Sequence, residues 1–363
     1  MTFSITMVAG ARPNFIKLAP LAWAVNKARE KGEDIDCKLV YVGKQDDTTL
    51  EPSLFSDLQI KSPDVFLGVD CESLNELTGQ TMGAFDRYLD SVKTDAVIVV
   101  DDLASTMAVA IVCKKRGIKL AHLVAGTRSF DFSMPKEVNR LVIDGLSDLL
   151  FTAGAGASSI ASREGAELQK VYMVGNIIID TLRRNYSRFT RPQCLHTLGA
   201  ADGEYIVFTI NRKALLTNGD YLRTMLETLS EKAGNTPVVA PLRGLSRETI
   251  APLVADKPNI HIVESMGYLN FGYLTSHAKG IVTDSGNIAE EATFNNIPCI
   301  TLNDYTEHIE TVSQGTNVLV GYNIAKLQSA LSDMVKGEWK NSSLPDRWDG
   351  RTADRILQIV RGE

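Results

Sequence analysis

The sequence has few of the features that mark the commonest catalytic and binding classes. Its five cysteines are scattered, form no CxxC pair and have no histidine cluster nearby, so neither a zinc site nor a disulfide framework is predicted. It contains no Walker loop, no HExxH motif and no evident Ser/His/Asp triad. The first predicted strand is not followed by GxGxxG, so NAD is not expected. We expect neither a metal ion nor a cofactor.

Positive charge and long apolar runs are also scarce. The 38 lysines and arginines are outnumbered by 44 acidic residues, for a net charge of -6. Without a basic field to attract phosphate backbones, nucleic-acid binding is not expected. No apolar run approaches the roughly 20 residues that a membrane-spanning helix needs, and the N-terminus has no basic region or cleavage site. We expect a cytoplasmic protein with no membrane partner.

What the sequence does contain is a repeated alternation of apolar strands with helices. A chain of 363 residues exceeds the size at which one hydrophobic core keeps growing, which predicts two domains. Continuous apolar strands alternating with helices predict parallel sheets covered on both faces. Strands are expected at residues 3–9, 38–42, 96–100 and 119–123, and again at 205–209, 237–240, 260–263, 279–283, 298–302 and 318–320.

The apolar rhythm breaks at residues 177–201. This break predicts a first Rossmann-like domain at residues 1–177 and a second at 178–350, with a final helix in 351–363 packing back on the first. In doubly wound sheets, ligands bind at the carboxyl ends of the strands. The expected fold class is therefore two doubly wound α/β domains with the ligand cleft between them.

The most informative segment is residues 283–291, TDSGNIAEE, where an apolar strand runs through a tight turn into a helix. The unpaired N–H groups and positive dipole of a helix start suit a diphosphate. Glu290 and Glu291 lie one turn further in, where a carboxylate can accept hydrogen bonds from ribose hydroxyls. The alternative is an ordinary helix capped by Ser285.

Two further segments lie after strands of the first predicted domain. In residues 10–17, GARPNFIK, Gly10 permits close backbone approach and Arg12 suits phosphate oxygens, although an ordinary turn with a surface arginine fits equally well. Asp101 and Asp102 follow the third strand, where an acid serves as a base or, more commonly, as a helix cap. His122 ends the next strand and fits either a site residue or a structural histidine at the rim.

Taken together, these segments resemble the non-hydrolysing UDP-N-acetylglucosamine 2-epimerases, which have the two-Rossmann GT-B architecture. The resemblance extends over nearly the whole chain and is carried by an ordered set of segments. These are residues 10–17, 122–131, 134–140, 174–180, 267–269, 283–291 and 315–321.

The resemblance implies a UDP or UDP-amino-sugar ligand and assigns site residues to it. Ser285 and Gly286 match the phosphate turn, Glu291 matches the glutamate that holds the ribose, and Arg12 matches a residue reaching the ligand from the other domain. The full implied substrate-binding set is Arg12, Lys17, Arg243, Phe271, Ser285, Gly286, Asn287, Glu291 and His308. A homodimer and a role in polysaccharide biosynthesis are also implied.

The family reaction removes the C2 proton of the sugar, expels UDP to give a glycal, and re-adds UDP with C2 inverted, converting UDP-GlcNAc to UDP-ManNAc. Such chemistry needs acid/base groups on the sugar and cations for the departing diphosphate. The residues that match this role are Asp102, Lys136, Arg128, Arg140 and His122.

The sequence departs from the family pattern mainly on the sugar side. The carboxylate of the family's HVEAG is replaced by Val124, the first glutamate of PEExNR by Lys136, and a histidine by Asn211. Another histidine is replaced by Arg243, and an arginine by His308. Three hypotheses therefore remain.

One hypothesis is an epimerase acting on a UDP-amino sugar through Asp102 and Lys136. The second is a catalytically impaired paralogue that binds UDP or a UDP-sugar in a regulatory or partner role. The third, a glycosyltransferase with the same two-domain fold, is favoured least because the local match is to the epimerases.

Overall fold

The computed structural model describes residues 2–362, which form two compact units. The first unit runs to Arg183 and resumes at Asp346, and the second is Arg184–Pro345. These bounds lie a few residues from the domain boundaries at 177/178 and 350/351 that the sequence predicts.

The first unit is a seven-stranded parallel sheet flanked by helices. Its strand order is β3-β2-β1-β4-β5-β6-β7. The strands are β1 Phe3–Ala9, β2 Ile35–Tyr41, β3 Val65–Phe66, β4 Ala96–Val100, β5 Lys119–Leu123, β6 Leu149–Thr152 and β7 Val171–Met173. The helices are α1 Arg12–Glu30, α2 Leu54–Asp57, α3 Leu74–Ser91, α4 Ala104–Lys115, α5 Pro135–Leu146, α6 Ala155–Arg163 and α7 Ile177–Asn185. The last two residues of α7 belong to the second unit. The end of the chain adds one more helix to the first unit, α16 Thr352–Arg361.

The second unit repeats the plan with six parallel strands in the order β10-β9-β8-β11-β12-β13. Its strands are β8 Ile206–Phe208, β9 Val238–Pro241, β10 Ile260–Val263, β11 Gly280–Thr283, β12 Cys299–Thr301 and β13 Asn317–Leu319. Its helices are α8 Gln193–Thr197, α9 Lys213–Leu216, α10 Gly219–Ala233, α11 Gly244–Ile250, α12 Tyr268–Ser276, α13 Gly286–Asn295, α14 Glu310–Ser313 and α15 Ile324–Lys336.

The two parallel sheets confirm the expected fold class. Every residue of β4 and of β11 is buried, because crossover helices cover both faces of a central parallel strand and leave no position for an exposed side chain. Strands β6 and β7, at one edge of the first sheet, were not anticipated from the sequence. Within residues 2–362, no helix has the length and apolarity needed to cross a membrane.

The last helix, α16, is joined to the first unit through Asp180 on α7. The Asp180 carboxylate accepts the N–H groups of Thr352 at 3.2 Å and Ala353 at 2.8 Å, which are first-turn donors of α16 that no helical carbonyl can reach. Arg361 at the other end pairs with Glu33. Burial raises the pKa of Asp180 to about 6 despite these hydrogen bonds.

Candidate functional site

The strand order of the first unit reverses between β1 and β4, and this reversal brings two turns together. In doubly wound sheets such a switch point is where ligands bind. Gly10 follows β1, and a β-carbon there would lie 2.2 Å from Ser105 Oγ and 2.9 Å from Leu103 Cδ1, on the turn and helix after β4. Any larger residue at position 10 would therefore force the Ser105 and Leu103 side chains to move.

Asp101 lies at this switch point in a left-handed backbone conformation, with φ of 59°. Its carboxylate accepts hydrogen bonds from Asn14 Nδ2 at 2.8 Å and from the buried Lys17 Nζ at 2.5 Å. Its carbonyl oxygen accepts a bond from His122 Nε2 at 3.0 Å. The ammonium of Lys17, which the resemblance places on the ligand, is thus engaged by Asp101 inside the unit.

Asp102, the next residue, is a buried carboxylate paired with two cations, of which Arg140 is buried and Lys136 is 56% exposed. Arg140 donates to Asp102 Oδ2 from Nη2 at 2.6 Å and from Nε at 2.9 Å, and Lys136 Nζ lies 3.3 Å from Oδ1. The side chain of Asn139 donates to the Asp102 carbonyl at 2.8 Å. Burial alone would raise the pKa of Asp102, but the charges of Lys136 and Arg140 outweigh it and hold the pKa below its usual value. The carboxylate is therefore ionised at neutral pH.

Helix α5 supplies the other half of this cluster and also fixes the loop before it. Glu137, 1% exposed, accepts bonds from Ser129 N at 3.0 Å and Oγ at 2.9 Å, from Phe130 N at 3.0 Å and from Arg140 Nη1 at 2.9 Å. Burial would raise its pKa, but the donors from Ser129, Phe130 and Arg140 lower it overall. Arg140 therefore bridges two ionised carboxylates.

His122 and Arg128 belong to a separate buried network around Asp144. Asp144 Oδ1 lies 2.6 Å from His122 Nδ1, and Asp144 Oδ2 lies 2.8 Å from Arg128 Nη2. Arg128 Nε also contacts both carboxylate oxygens of Glu164, at 3.0 and 3.1 Å. Burial acts to raise the pKa of Asp144, but His122 and Arg128 lower it overall. The structure thus places these two predicted catalytic side chains against Asp144, whereas Lys136 and Arg140 contact Asp102.

This network holds the turn that contains Val124, at the position where the resemblance places a carboxylate. Val124 has φ of 71°, a conformation that costs a β-branched residue about 1–2 kcal/mol. Gly126, with φ of 73°, donates its N–H to Asp144 Oδ2 at 3.1 Å, and a β-carbon there would meet the Ala157 carbonyl oxygen at 2.3 Å. The surrounding packing therefore imposes the turn, and Val124 offers it no polar atom beyond the backbone.

The second unit has an equivalent switch point between β8 and β11. Asp284 follows β11, and its Oδ2 accepts the N–H groups of Asn211 at 2.8 Å and Arg212 at 2.6 Å in the turn after β8. Asn303 Nδ2 donates to the Asp284 carbonyl at 3.1 Å. Asp284 therefore ties the two turns together and sets the start of α13.

The start of α13 is not capped by a side chain. Ser285 occupies the N-cap position, but its hydroxyl accepts no capping hydrogen bond, and its own N–H donates to Thr283 Oγ1 at 3.0 Å. No atom lies within 4 Å of the place where a β-carbon on Gly286 would project. Ser285, Gly286 and Asn287 are half-buried. The first-turn N–H groups, which have no helical acceptor, thus begin beside open space suited to an anion.

The acidic residues of α13 lie deeper. Glu290 is 1% exposed and its Oε1 lies 3.3 Å from Nδ1 of the buried His308. Glu291, the residue matched to ribose binding, is 7% exposed. The structure therefore brings His308 against Glu290, the neighbour of Glu291.

The remaining predicted ligand residues lie on separate elements. Arg243 is the exposed N-cap residue of α11 and forms no ion pair within residues 2–362. Phe271 on α12 is half-buried and packs on the apolar cluster that includes Ile288 of α13. In the first unit, Arg12 at the start of α1 directs its guanidinium to Glu51, with Nε 2.5 Å from Oε2 and Nη2 in contact with Oε1.

A family model described as UDP-N-acetylglucosamine 2-epimerase matches residues 27–361. The chain belongs to this family. A UDP-N-acetylglucosamine 2-epimerase of Methanocaldococcus jannaschii is 30% identical over 98% of each chain. A UDP-2,3-diacetamido-2,3-dideoxy-D-glucuronate 2-epimerase of Pseudomonas aeruginosa is 33% identical, over 87% of this chain and 88% of the relative.

Solved structures of the epimerase family have the same fold. The M. jannaschii UDP-GlcNAc 2-epimerase, solved in complex with UDP-GlcNAc and UDP, superposes with a TM-score of 0.85 at 30% identity and covers 99% of this chain and 100% of its own. The UDP-N-acetylglucosamine 2-epimerase of Rickettsia bellii gives a TM-score of 0.88 at 24% identity over 99% of this chain and 96% of its own, which supports the fold.

Several residues that shape this epimerase-family site were not predicted from the sequence. Asp144 lies four residues after Arg140 on α5, so helical spacing could have pointed to the same face of the helix. Asp284, inside the segment 283–291, could have been singled out as the acid directly after a strand. Glu51 and Glu164 carry no such signal, because each meets its arginine across a long stretch of sequence.

Proposed function

We propose that this chain binds a UDP-amino sugar and epimerises it at C2, by the family route of UDP elimination and re-addition, with UDP-GlcNAc and UDP-ManNAc as the expected pair. The observation that carries this proposal is the Asp102 cluster. An ionised carboxylate lies at the switch point of the first sheet, between the ammonium of Lys136 and the guanidinium of Arg140. That arrangement supplies a base together with cations, in a chain that belongs to the epimerase family.

The nucleotide part of the ligand is proposed to bind mainly through the second unit. The uncapped start of α13 at Ser285, Gly286 and Asn287 offers N–H donors and the positive end of a helix dipole to the diphosphate. Glu291 is proposed to accept the ribose hydroxyls. The M. jannaschii relative, solved in complex with UDP-GlcNAc and UDP, supports a UDP-sugar as the class of ligand.

Five further side chains complete the proposed ligand set. Arg12 and Arg243 are cations for the diphosphate, and Phe271 and His308 lie on elements next to the nucleotide turn. Lys17 stays in the proposed set through the resemblance, although its contact with Asp101 makes it a weaker candidate for direct binding.

The chemistry is proposed to use Asp102 and Lys136 on the sugar. Asp102 takes the C2 proton, the electrons of the C2–H bond form the C1=C2 double bond, and UDP departs with the electrons of the C1–O bond. Inversion requires that a proton return to the other face of C2, and the exposed Lys136 side chain is proposed to supply it after leaving its 3.3 Å contact with Asp102. Re-addition of UDP to C1 gives the epimerised sugar nucleotide, and transfer of the proton from Asp102 to Lys136, directly or through solvent, restores both groups for the next cycle. Arg140 holds Asp102 and stabilises its charged form. His122 and Arg128 are proposed to position the turn at Val124 through Asp144.

The test is deuterium incorporation at C2 in deuterated water, followed by NMR, with UDP-GlcNAc and with UDP-2,3-diacetamido-2,3-dideoxy-D-glucuronate as separate substrates. The second compound is included because a 33% identical relative is named for it. Asp102→Asn should lower exchange by about 10²–10⁴-fold, the usual effect of losing an acid/base group.

Asp148→Asn is the matched control, since Asp148 also pairs with a lysine, Lys114 at 2.7 Å, but accepts the Leu120 N–H at the start of β5. Equal loss in both variants would count against a specific role for Asp102. UDP binding without exchange of either sugar would instead support the catalytically impaired paralogue.

We further propose, from family membership alone, that the protein is a cytoplasmic homodimer contributing an amino sugar to polysaccharide biosynthesis. Sedimentation equilibrium with and without UDP tests the dimer, and a monomer under both conditions would contradict it.

A further inference from the structure

Arg12 in this structure already binds an anion supplied by the chain itself. Its Nε donates to Glu51 Oε2 at 2.5 Å and its Nη2 donates to Oε1, so both carboxylate oxygens accept a hydrogen bond from the guanidinium. Each side chain is 23% exposed. This two-bond fork is the geometry with which arginine binds either a carboxylate or a phosphate.

The segment that carries Glu51 is held in place locally. It follows β2 and precedes α2, and Asp47 within it accepts bonds from Tyr41 Oη at 2.5 Å and from Thr49 N at 2.8 Å. The Glu51 carbonyl accepts the N–H of Leu54 at the start of α2. Glu51 is therefore presented to Arg12 by a fixed turn.

We propose that Glu51 is an internal substitute for the ligand's diphosphate: it holds Arg12 in the unliganded protein and is displaced when a UDP ligand binds. This inference rests on the proposed function, because it takes Arg12 to be a diphosphate ligand. One edge of a guanidinium cannot form a two-bond fork to a carboxylate and to a phosphate together, so a phosphate bound at this edge of Arg12 excludes Glu51.

Glu51 has opposite effects on the position of Arg12 and on the affinity for the ligand. Glu51 keeps Arg12 ordered before the ligand arrives, yet the ligand must break an existing ion pair in order to use Arg12. A partly exposed ion pair of this kind contributes little free energy, so removing the competing charge should tighten UDP binding by about 2- to 5-fold. The effect should follow the phosphates, and uridine alone should bind equally to both forms.

The experiment is calorimetric titration of UDP, inorganic pyrophosphate and uridine into the wild type, Glu51→Gln and Glu51→Ala. The matched control is Glu33→Gln, because Glu33 pairs with Arg361 in the same unit. The Glu33 side chain is 33% exposed and that of Arg361 is 22% exposed, close to the 23% of both Arg12 and Glu51. Tighter binding of UDP and pyrophosphate by both Glu51 variants, with Glu33→Gln at the wild-type value, is the expected result. Circular dichroism checks that each variant is folded.

The same titrations in an Arg12→Ala background complete a double-mutant cycle. If Glu51 acts through Arg12, Glu51→Gln should have no effect on UDP binding once Arg12 is absent. Unchanged or weaker UDP binding by Glu51→Gln, or tightening that persists without Arg12, would overturn the inference and leave the proposed function standing. If neither the wild type nor Glu51→Gln binds UDP at millimolar concentration, the proposed function itself fails, and the inference fails with it.

Discussion

Replacing Arg140 with methionine removes the guanidinium that bridges the carboxylates of Asp102 and Glu137. Arg140 is 1% exposed, and its donors lie 2.6 and 2.9 Å from Asp102 Oδ2 and 2.9 Å from Glu137 Oε2. Breaking a buried ion pair on one side costs roughly 3–5 kcal/mol, because the remaining charge stays buried without its partner.

The structure places the expected loss at the low end of that range. Glu137 keeps the three donors from Ser129 and Phe130, and Asp102 keeps Lys136 at 3.3 Å. We therefore expect Arg140→Met to lower the free energy of unfolding of the first unit by about 3 kcal/mol. The pKa of Asp102 should also rise, because burial remains while one of the two opposing cations is lost.

The assay is urea denaturation monitored by hydrogen exchange of the strands of the first unit, which separates its unfolding from that of the second. The matched control is Arg116→Met, since Arg116 also bridges two acids, Asp86 at 2.6 Å and Asp90 at 2.7 Å, but on the surface. Its loss should cost less than about 1 kcal/mol. Equal losses of unfolding free energy in the Arg140→Met and Arg116→Met variants would show that burial of the Arg140 pair does not matter. In the double variant with Asp102→Asn, the loss should be smaller than the sum of the two single losses.

Two further predictions concern stability. Val124→Asn should stabilise the protein by about 0.5–1 kcal/mol, because asparagine tolerates φ of 71° better than valine does; thermal unfolding measures this, with the exposed Val138→Asn as control, and a loss of stability would contradict it. Asp180 has a folded pKa of about 6, above its ordinary value of 3.8. The folded state therefore binds the proton more tightly, and this contribution to stability falls as pH rises from 4 to 6, by at most about 3 kcal/mol. Asp180→Asn should remove that pH dependence from the hydrogen exchange of the Thr352 and Ala353 amides, and an unchanged profile would refute it.

The sheets were accessible to sequence reasoning because central parallel strands are buried on both faces. Strands β1, β4 and β5 were located to the residue, since each is a mostly apolar run and β4 is apolar throughout. Strand β7 escaped because its three residues are only half-buried at the sheet edge.

Some parts of the candidate site could likewise be predicted from the sequence, and others could not. The turn at 283–291 depends on local geometry, and local sequence pointed to it. The assignment of His122 to the Asp144 network, and of Lys17 to Asp101, depends on contacts between elements far apart in sequence. Asp101 also adopts a left-handed backbone that its residue type alone does not announce. Such contacts are set by tertiary packing, and periodicity and local motifs do not report them.

The proposed epimerisation requires that the Asp102 and Lys136 cluster act on C2 of a UDP-amino sugar. Deuterium exchange at C2, measured by NMR for the wild type and Asp102→Asn at equal UDP occupancy, tests it most directly. We expect the wild type to exchange the C2 proton of at least one of the two UDP-sugars. In the variant, that exchange should fall by about 10²-fold or more while UDP still binds. Wild-type protein that binds UDP and exchanges neither sugar, or an Asp102→Asn variant that exchanges at the wild-type rate, would contradict it.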